Sequence, residues 1–265
     1  VLDGIVVTTD AVQRVIDATF AQPVGDDETP SDRFERAVLE PDLARTIRRH
    51  LSTLGDCFVV RSSGVQEDGT VASWAGQLES IIGVGLGREL DRAIMRCIGS
   101  MFSERAGVYR STRADGPPRL AVLIQPVVNP VCAGVMFTVN PVTGSWREMT
   151  VEAAWGQAAP VVGGEIVPAF YRVRRPRSTP RPVQRILSRI RLEVAEDRVR
   201  PQSTQWAARP DGLRAVEVPQ FRRSAPKLRH HQLMRLCRLG LRVESIRGGP
   251  QDLEWALTDA GQLVV

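Results

Sequence analysis

Residues 57–68 carry the sequence CFVVRSSGVQED, and residues 72–84 carry ASWAGQLESIIGV. The first stretch begins with the apolar, β-branched pattern of a short buried strand, which ends at Arg61. A second strand is predicted over Leu78–Val84, and the small, polar residues 62–76 predict a long loop between the two strands. Arg61 is therefore expected where a sheet opens to solvent, followed by hydroxyl groups and a glycine. Those residue types in that order favour the binding of an anion.

Gly76 and Ser80 add to this interpretation. A glycine lets backbone amides approach a phosphate closely, and Ser80 supplies a hydroxyl donor just behind it. The same stretch also fits a plainer interpretation, in which Arg61 forms an ion pair with Glu67 or Asp68 and Gly76 makes a simple turn. Spacing alone leaves both interpretations open.

Helical and strand patterns alternate through the rest of the chain and predict an α+β fold. Helices are predicted at 10–20, at 31–54 with an interruption at Pro41, and at 225–246, and residues 90–109 are predicted to form one helix or a bent pair. Strands are predicted at 4–9, 119–128, 132–139, 147–153, 166–174, 252–257 and 262–265. The basic, proline-rich residues 176–182 predict a linker.

Composition and charge exclude several classes of protein. With 265 residues, 43% hydrophobic and 25% charged, the chain has the composition of a globular protein rather than a disordered one. Its apolar runs fall far short of the roughly 20 residues that a membrane-spanning helix needs, so no membrane partner is expected. Residues 1–170 hold 15 basic and 21 acidic side chains, whereas residues 171–265 hold 20 and 9. The basic second part suits a phosphate-bearing or acidic partner.

Aromatic content argues against a nucleic acid as that partner. Single-strand binders stack bases on aromatic side chains, and the basic residues 171–247 contain only Tyr171, Trp206 and Phe221 of that kind. Nucleic-acid binding is therefore not expected.

The four cysteines predict neither a zinc site nor a disulfide framework, because none of them forms a CxxC pair. They are Cys57, Cys97, Cys132 and Cys237. We expect buried, reduced thiols and hence a cytoplasmic protein.

Several segments together carry a family resemblance. Residues 60–68 and 72–77 resemble the VRSSATAED and ASFAGQ signature of the nucleotide-binding domain in the phosphoenolpyruvate synthase and pyruvate phosphate dikinase family, which includes rifampicin phosphotransferase. Further motifs of that family follow in the same order: SERA at 103–106, QPVV at 125–128, GVMFT at 134–138, NPVTG at 140–144, EAAWG at 152–156 and GPQDLEW at 249–255. The resemblance therefore covers nearly the whole chain.

This resemblance implies an ATP-grasp fold, in which two α+β lobes hold ATP in a cleft between them. Residues 1–120 are expected to form the first lobe, on the phosphate side, with a mobile loop at 62–80. Residues 121–265 are expected to form the second lobe, on the adenine and metal side.

The resemblance also assigns roles to individual residues. Arg61 would bind the transferring phosphates as the catalytic residue, and Gly76 and Ser80 would lie in the loop that closes over them. Gln125 and the backbone of Val127 and Val128 would contact the adenine edge. Glu152 would contact the ribose or pair with an arginine. Glu254, otherwise an ordinary surface acid beside Trp255, would ligate Mg²⁺, a hard cation that prefers carboxylate oxygen.

Members of the family transfer the β-phosphoryl group of ATP to a histidine on a separate swivelling domain and release AMP and phosphate. The three histidines of this chain, His50, His230 and His231, lie in charged helical stretches and are predicted to be surface residues. We therefore expect an ATP-dependent phosphotransferase that needs a phosphohistidine domain and an acceptor-substrate domain, in cis or in trans. The final acceptor could be that of a phosphoenolpyruvate synthase or a small molecule such as rifampicin.

Two expectations follow from departures from the family. The GGKGANL segment of the relatives would precede Val1 and their QSRP-like strand would follow Val265, so we expect the chain to be part of a longer enzyme. Gln157-Ala158-Ala159 replaces the usual LGE, and Gly64-Val65 replaces Ala-Thr. These changes leave open a different class of function, a catalytically silent nucleotide-binding or scaffold module.

Overall fold

Two separate hydrophobic cores organise the chain. The computed structural model describes residues 3–23, 28–64, 79–103, 119–176 and 191–265. One compact unit comprises Val1–Val127 with Ala208–Leu213, and the other comprises Val128–Ala207 with Arg214–Val265.

The described residues form helices and antiparallel strands, which confirms the predicted α+β class. The helices are α1 (Thr9–Phe20), α2 (Pro30–Arg36), α3 (Pro41–Leu51), α4 (Arg88–Gly99), α5 (Ala159–Val162), α6 (Gln220–Arg223) and α7 (His230–Arg247), with a 3₁₀ turn at Ser100–Phe102. The strands are β1 (Ile5–Val7), β2 (Cys57–Gly64), β3 (Ser80–Gly85), β4 (Leu120–Pro126), β5 (Cys132–Phe137), β6 (Glu148–Trp155), β7 (Ala169–Arg174), β8 (Glu193–Arg198), β9 (Thr204–Arg209), β10 (Gly212–Glu217), β11 (Asp252–Leu257) and β12 (Leu263–Val264).

The first unit is built on a four-stranded antiparallel sheet in the order β1-β4-β2-β3. Alternation along β2 and β4 turns Phe58, Val60, Val122 and Ile124 to one face, where all four are fully buried. Helix α4 packs on β2 and β3, and helix α1 packs on β4. The residues that alternate with these four, including Arg61 and Gln125, lie on the other face of the sheet.

The second unit contains a six-stranded antiparallel sheet in the order β12-β11-β5-β6-β7-β8. The buried side of α7, including Leu236, Cys237 and Leu241, belongs to the same core as the sheet residues Met136 and Val151. At Gly240 a Cβ atom would lie 2.4 Å from Met136 Cε, so a larger residue there would require Met136 to move. The face of the sheet that does not belong to this core carries most of its charged side chains.

Strands β9 and β10 form a hairpin whose tip, 208–213, belongs to the first unit. The tip packs against β3, where the Gly85 N–H donates to the Pro210 carbonyl at 2.8 Å. Gly83 has a φ of +83°, and a Cβ atom there would lie 2.6 Å from the Arg209 carbonyl oxygen. Only glycine fits this position without strain.

Several predicted boundaries differ from the structure. Strand β4 lies in the first compact unit, where it pairs with β1 and β2, and the division into lobes at residue 120 stays a prediction. Helix α7 begins at His230 instead of near residue 225. Residues 104–109 of the predicted 90–109 helix and residues 177–182 of the predicted linker lie outside the described residues.

His50, His230 and His231 are exposed on helices, as predicted. All four cysteines are free, and three of them are buried, whereas Cys57 is half-buried. Among the described residues, none of the helices combines the length and apolar character that crossing a membrane requires.

Candidate functional site

Arg61 and Ser80 are direct cross-strand partners. The β2–β3 register places Arg61 opposite Ser80, and both residues are exposed. The start of β3 is fixed to β2 at Ser62, whose N–H and Oγ both donate to the Glu79 carbonyl, at 3.4 and 3.0 Å. A guanidinium and a hydroxyl thus lie on one face of the sheet, as an anion site requires.

Gln125 lies on this same face of the first sheet. It is opposite Val59 in the β2–β4 register, and Val59 shares a side of β2 with Arg61. The backbone of Gly4 lies close to the Gln125 side chain, since a Cβ atom at Gly4 would lie 2.8 Å from Gln125 Cγ. Arg61, Ser80 and Gln125, which were predicted from distant parts of the sequence, therefore share one surface.

Backbone hydrogen bonds fix the two valines that follow β4. The Val127 N–H donates to the Cys57 carbonyl at 2.9 Å, and the Val128 carbonyl accepts a hydrogen bond from Gln157 Nε2 at 2.6 Å. The Val127 carbonyl and the Val128 N–H make no hydrogen bond with the described part of the chain. Within the described ranges, an acceptor and a donor on consecutive residues thus have no hydrogen-bond partner.

Glu152 and Glu254 lie in one cross-strand row of the second sheet. Glu254 is opposite Val135, and the β5–β6 register, in which Ala133 faces Ala154, places Val135 opposite Glu152. Two strand spacings of about 4.8 Å separate the backbones of the two acids, so both side chains can reach one extended ligand. Glu152 is half-buried and Glu254 is exposed.

Further charged residues, which no sequence motif had indicated, share this face. Asp252 precedes Glu254 by two positions on β11, so strand alternation places both carboxylates on the same side. Arg172 forms ion pairs with Glu148 at 3.4 Å and with Glu196 at 3.1 Å. The Asp-x-Glu spacing on a predicted strand is the signal that could have identified Asp252.

The comparison of the whole sequence with family models decides the relationship. Residues 1–265 match the model described as the pyruvate phosphate dikinase, AMP/ATP-binding domain. The chain belongs to this family. The chain is therefore an ATP-binding domain of the type found in dikinase-type phosphotransferases, as the motifs around Arg61 predicted.

Curated relatives of the dikinase domain include enzymes with different names. Rifampicin phosphotransferase of Streptomyces sviceus is 35% identical over 97% of this chain and 30% of its own length. The prodigiosin synthesizing transferase PigC of Serratia marcescens is 30% identical over 96% of this chain and 28% of its own length. A probable phosphoenolpyruvate synthase of Methanocaldococcus jannaschii is 32% identical over 74% of this chain and 16% of its own length. The chain thus spans less than a third of each of these relatives.

The acidic residues of the dikinase domain suit a magnesium ion that is shared with a nucleotide. Within the described ranges, no group of three or more histidine, cysteine or acidic side chains is arranged to hold a metal alone. Mg²⁺ in phosphoryl-transfer sites usually takes one or two carboxylates and completes its shell with water and phosphate oxygens. Glu254 and Asp252, on one side of β11, fit that requirement.

The structure thus groups the predicted site residues of the dikinase domain into two sets, one in each unit. Arg61, Ser80 and Gln125 share a face in the first unit, and Glu152 and Glu254 share a face in the second. Gly76 lies outside the described residues.

Proposed function

We propose that this domain binds Mg²⁺-ATP in an ATP-grasp manner and donates the β-phosphoryl group to a histidine on a separate swivelling domain, with release of AMP and phosphate. The observation that carries the proposal is the pairing of Arg61 with Ser80 on an exposed sheet face. The family match over the whole chain supports this assignment.

Arg61 is the proposed catalytic residue. Its planar guanidinium can donate two parallel hydrogen bonds to phosphate oxygens, and it keeps its positive charge at any physiological pH. Ser80, directly opposite, can donate a third hydrogen bond to the same phosphate group. Because phosphoryl transfer depends on positioning and charge stabilisation, these donors would lower the barrier without forming a covalent bond.

The segment of Val127 and Val128 is proposed to select adenine. The available Val127 carbonyl can accept from the exocyclic amino group of adenine, and the Val128 N–H can donate to its neighbouring ring nitrogen. Guanine presents an acceptor and a donor in the reverse order, so the same two backbone groups would disfavour it. Gln125, on the sheet face of Arg61, would support the adenine edge.

The acidic row on the second sheet is proposed to hold the ribose and the metal. Glu152 would accept hydrogen bonds from the ribose hydroxyls, and Glu254 with Asp252 would bind Mg²⁺. When bound, Mg²⁺ neutralises part of the charge on the phosphate oxygens.

The acceptor of the phosphoryl group would be set by the phosphohistidine and acceptor domains. We propose a phosphoenolpyruvate-synthase-like phosphotransferase acting in the cytoplasm, where its four free thiols stay reduced. Phosphorylation of a small molecule is the second candidate, because rifampicin phosphotransferase matches over 97% of this chain.

Calorimetric titration with ATP and Mg²⁺ tests the proposal. The unchanged chain should release heat on binding, and Arg61→Ala should weaken the affinity by at least about tenfold, the loss of one charge-assisted contact. Arg45→Ala is the matched control, since Arg45 is exposed on α3 of the same unit and forms an ion pair with Asp42. Equal heats for the unchanged chain and Arg61→Ala would reject the phosphate role. Tight ATP binding without transfer to a phosphohistidine domain would favour a silent nucleotide-binding module.

A further inference from the structure

A cavity of about 680 Å³ lies in the second unit, away from the acidic row. Its lining includes Trp155, Arg222 and Lys227. Trp155 lies on the same face of β6 as the buried residues Val151 and Ala153, and this face belongs to the core that contains α7. Glu152 lies on the opposite face of the strand. The cavity is therefore on the opposite side of the sheet from Glu152 and Glu254. Its volume falls in the range of small-molecule pockets, roughly 300–1,000 Å³.

Lys227 is the unusual residue of this cavity. It is the only lysine in the chain, and only 3% of its surface is exposed. Its Nζ donates to the Arg200 carbonyl at 2.7 Å, which uses one of three ammonium donors. No carboxylate in the described part of the chain forms an ion pair with it. Burial lowers the pKa of the Lys227 ammonium, and the nearby Arg222 guanidinium lowers it further.

Arg222 places a second cation at the same indole ring. Its guanidinium carbon lies 4.1 Å from the Trp155 ring centroid, and Lys227 Nζ lies 5.2 Å from it. The Trp155 indole N–H donates to the Arg222 carbonyl at 3.1 Å, which fixes the ring and the backbone of α6 together. Arg222, like Lys227, has no ion pair with a described acidic residue. The two cation–π contacts do not neutralise either charge.

The acidic residues of the lining do not compensate these cations. Asp197 and Asp259 border the cavity, together with Arg229 and His230, but neither acid forms an ion pair with Lys227 or Arg222 in the described part of the chain. Two like charges held near one ring repel each other, and an anion bound to both would reduce that repulsion.

We propose that this cavity binds an anionic small molecule, whose phosphate or carboxylate group lies between Lys227 and Arg222. Lys227 offers the two ammonium donors that Arg200 leaves unused, and Arg222 offers its planar guanidinium. Phe221, with 83% of its surface exposed, also lines the cavity and would cover an apolar part of the ligand. The site is independent of the proposed nucleotide site, since it uses none of those residues.

The single lysine makes a direct test possible. In the full 265-residue chain labelled with ¹³Cε-lysine, NMR should show one lysine side-chain resonance, which reports on Lys227 alone. Titration with inorganic phosphate and, separately, with acetate at constant ionic strength distinguishes the two oxyanions. We expect a saturable shift of this resonance with at least one of them. A response no greater than that to added sodium chloride would overturn the proposal.

Variants separate a specific site from general charge attraction. Arg222→Gln should weaken the apparent affinity for the responding oxyanion by at least about tenfold. Arg238→Gln is the matched control, because Arg238 is exposed on α7 and is not part of the cavity lining. Arg238→Gln should leave the affinity within twofold of that of the unchanged chain, because salt screens the interaction between a distant exposed charge and the bound anion. Equal affinity in Arg222→Gln and the unchanged chain, with a native spectrum for both, would also reject the site.

Discussion

Arg61 of β2 lies directly opposite Ser80 of β3, with both side chains on the exposed face of the first sheet. The hydrogen bonds that the Ser62 N–H and Oγ donate to the Glu79 carbonyl fix the start of β3 against β2. The pair is therefore held by strand register instead of by loop conformation alone.

This arrangement predicts that Arg61 and Ser80 act together on a phosphate. Arg61→Ala should raise the dissociation constant for Mg²⁺-ATP by roughly 10- to 100-fold, and Ser80→Ala by a few-fold, as expected for a charged and a neutral donor. In a double-mutant cycle measured by calorimetry, the coupling free energy should be at least about 0.5 kcal/mol, because the two donors share one ligand group.

Ser80→Thr is the control for that cycle, since it keeps the hydroxyl and should bind ATP nearly as well as the unchanged chain. Thermal unfolding of all variants should be similar, because both side chains are exposed. Effects that simply add, with no coupling, would show that Arg61 and Ser80 do not contact the same phosphate.

Gln157 is predicted to position the adenine-binding backbone. Its Nε2 donates to the Val128 carbonyl at 2.6 Å, and its own N–H donates to the Trp206 carbonyl at 2.9 Å. Gln157→Leu, which restores the usual family residue, would leave the Val128 carbonyl without this donor. We expect about a 3- to 10-fold weaker affinity for ATP, the effect of one neutral hydrogen bond. Affinity for GTP should change less.

Calorimetry with both nucleotides measures this difference. Gln13→Leu serves as a control, because Gln13 is an exposed residue of α1 that bonds to Asp17. If Gln157→Leu weakened ATP and GTP equally, Gln157 would have a general structural role rather than a role in base selection.

The spacing of apolar residues was sufficient to locate the main helices and strands, because it shows which residues of a segment are buried. Strand β2 was predicted from Cys57 to Arg61 and extends to Gly64, since its polar end still pairs with β4. Helix α7 was predicted to begin near residue 225. Its true start at His230 reflects a tertiary contact, since the Tyr171 hydroxyl accepts hydrogen bonds from the Lys227 and Leu228 N–H groups, at 3.1 and 3.3 Å.

Strand register could not be predicted from the sequence. The alternation of apolar and polar residues places Glu152 and Glu254 on strands. They lie in one row only because each is opposite Val135, which is on the strand between them. The family resemblance, and not spacing, had selected these two acids. Register depends on packing between distant segments, which a single sequence does not reveal.

The cysteines are predicted to differ strongly in reactivity. Burial raises the pKa of Cys97, Cys132 and Cys237 to about 12, so their thiolate fraction is negligible at pH 8. Cys57 is half-buried, and its pKa is also raised, first by burial and then by Asp56. A thiol reagent at pH 8 should therefore label the native chain once, at Cys57, and slowly.

Raising the pH should accelerate the labelling of Cys57, because the thiolate form increases as the pH approaches its elevated pKa. Cys57→Ser should abolish labelling of the native chain, whereas all four thiols of the parent chain should react in denaturant. Mass spectrometry counts the labels. Rapid modification of a second cysteine in the native chain would contradict the burial of Cys97, Cys132 and Cys237.

A buried ion pair is predicted to be the most sensitive polar contact of the second unit. The Arg175 side chain is fully buried and forms two parallel hydrogen bonds to Glu244 of α7, at 2.8 and 2.7 Å. It also donates to the Thr138 carbonyl. Glu244→Gln would leave a buried guanidinium without its counter-charge, so the free energy of unfolding should fall by about 3–5 kcal/mol.

Replacing both partners should cost much less than removing one. Arg175→Met with Glu244→Leu removes both charges and fills a similar volume, so most of the lost stability should return, because neither charge then has to be desolvated. Urea unfolding followed by tryptophan fluorescence measures the three proteins. Asp42→Asn breaks the exposed Arg45–Asp42 pair and should leave the unfolding curve nearly unchanged. If the double replacement were as unstable as Glu244→Gln, hydrogen bonding to Thr138 and packing around Arg175, rather than unpaired charge, would account for the loss.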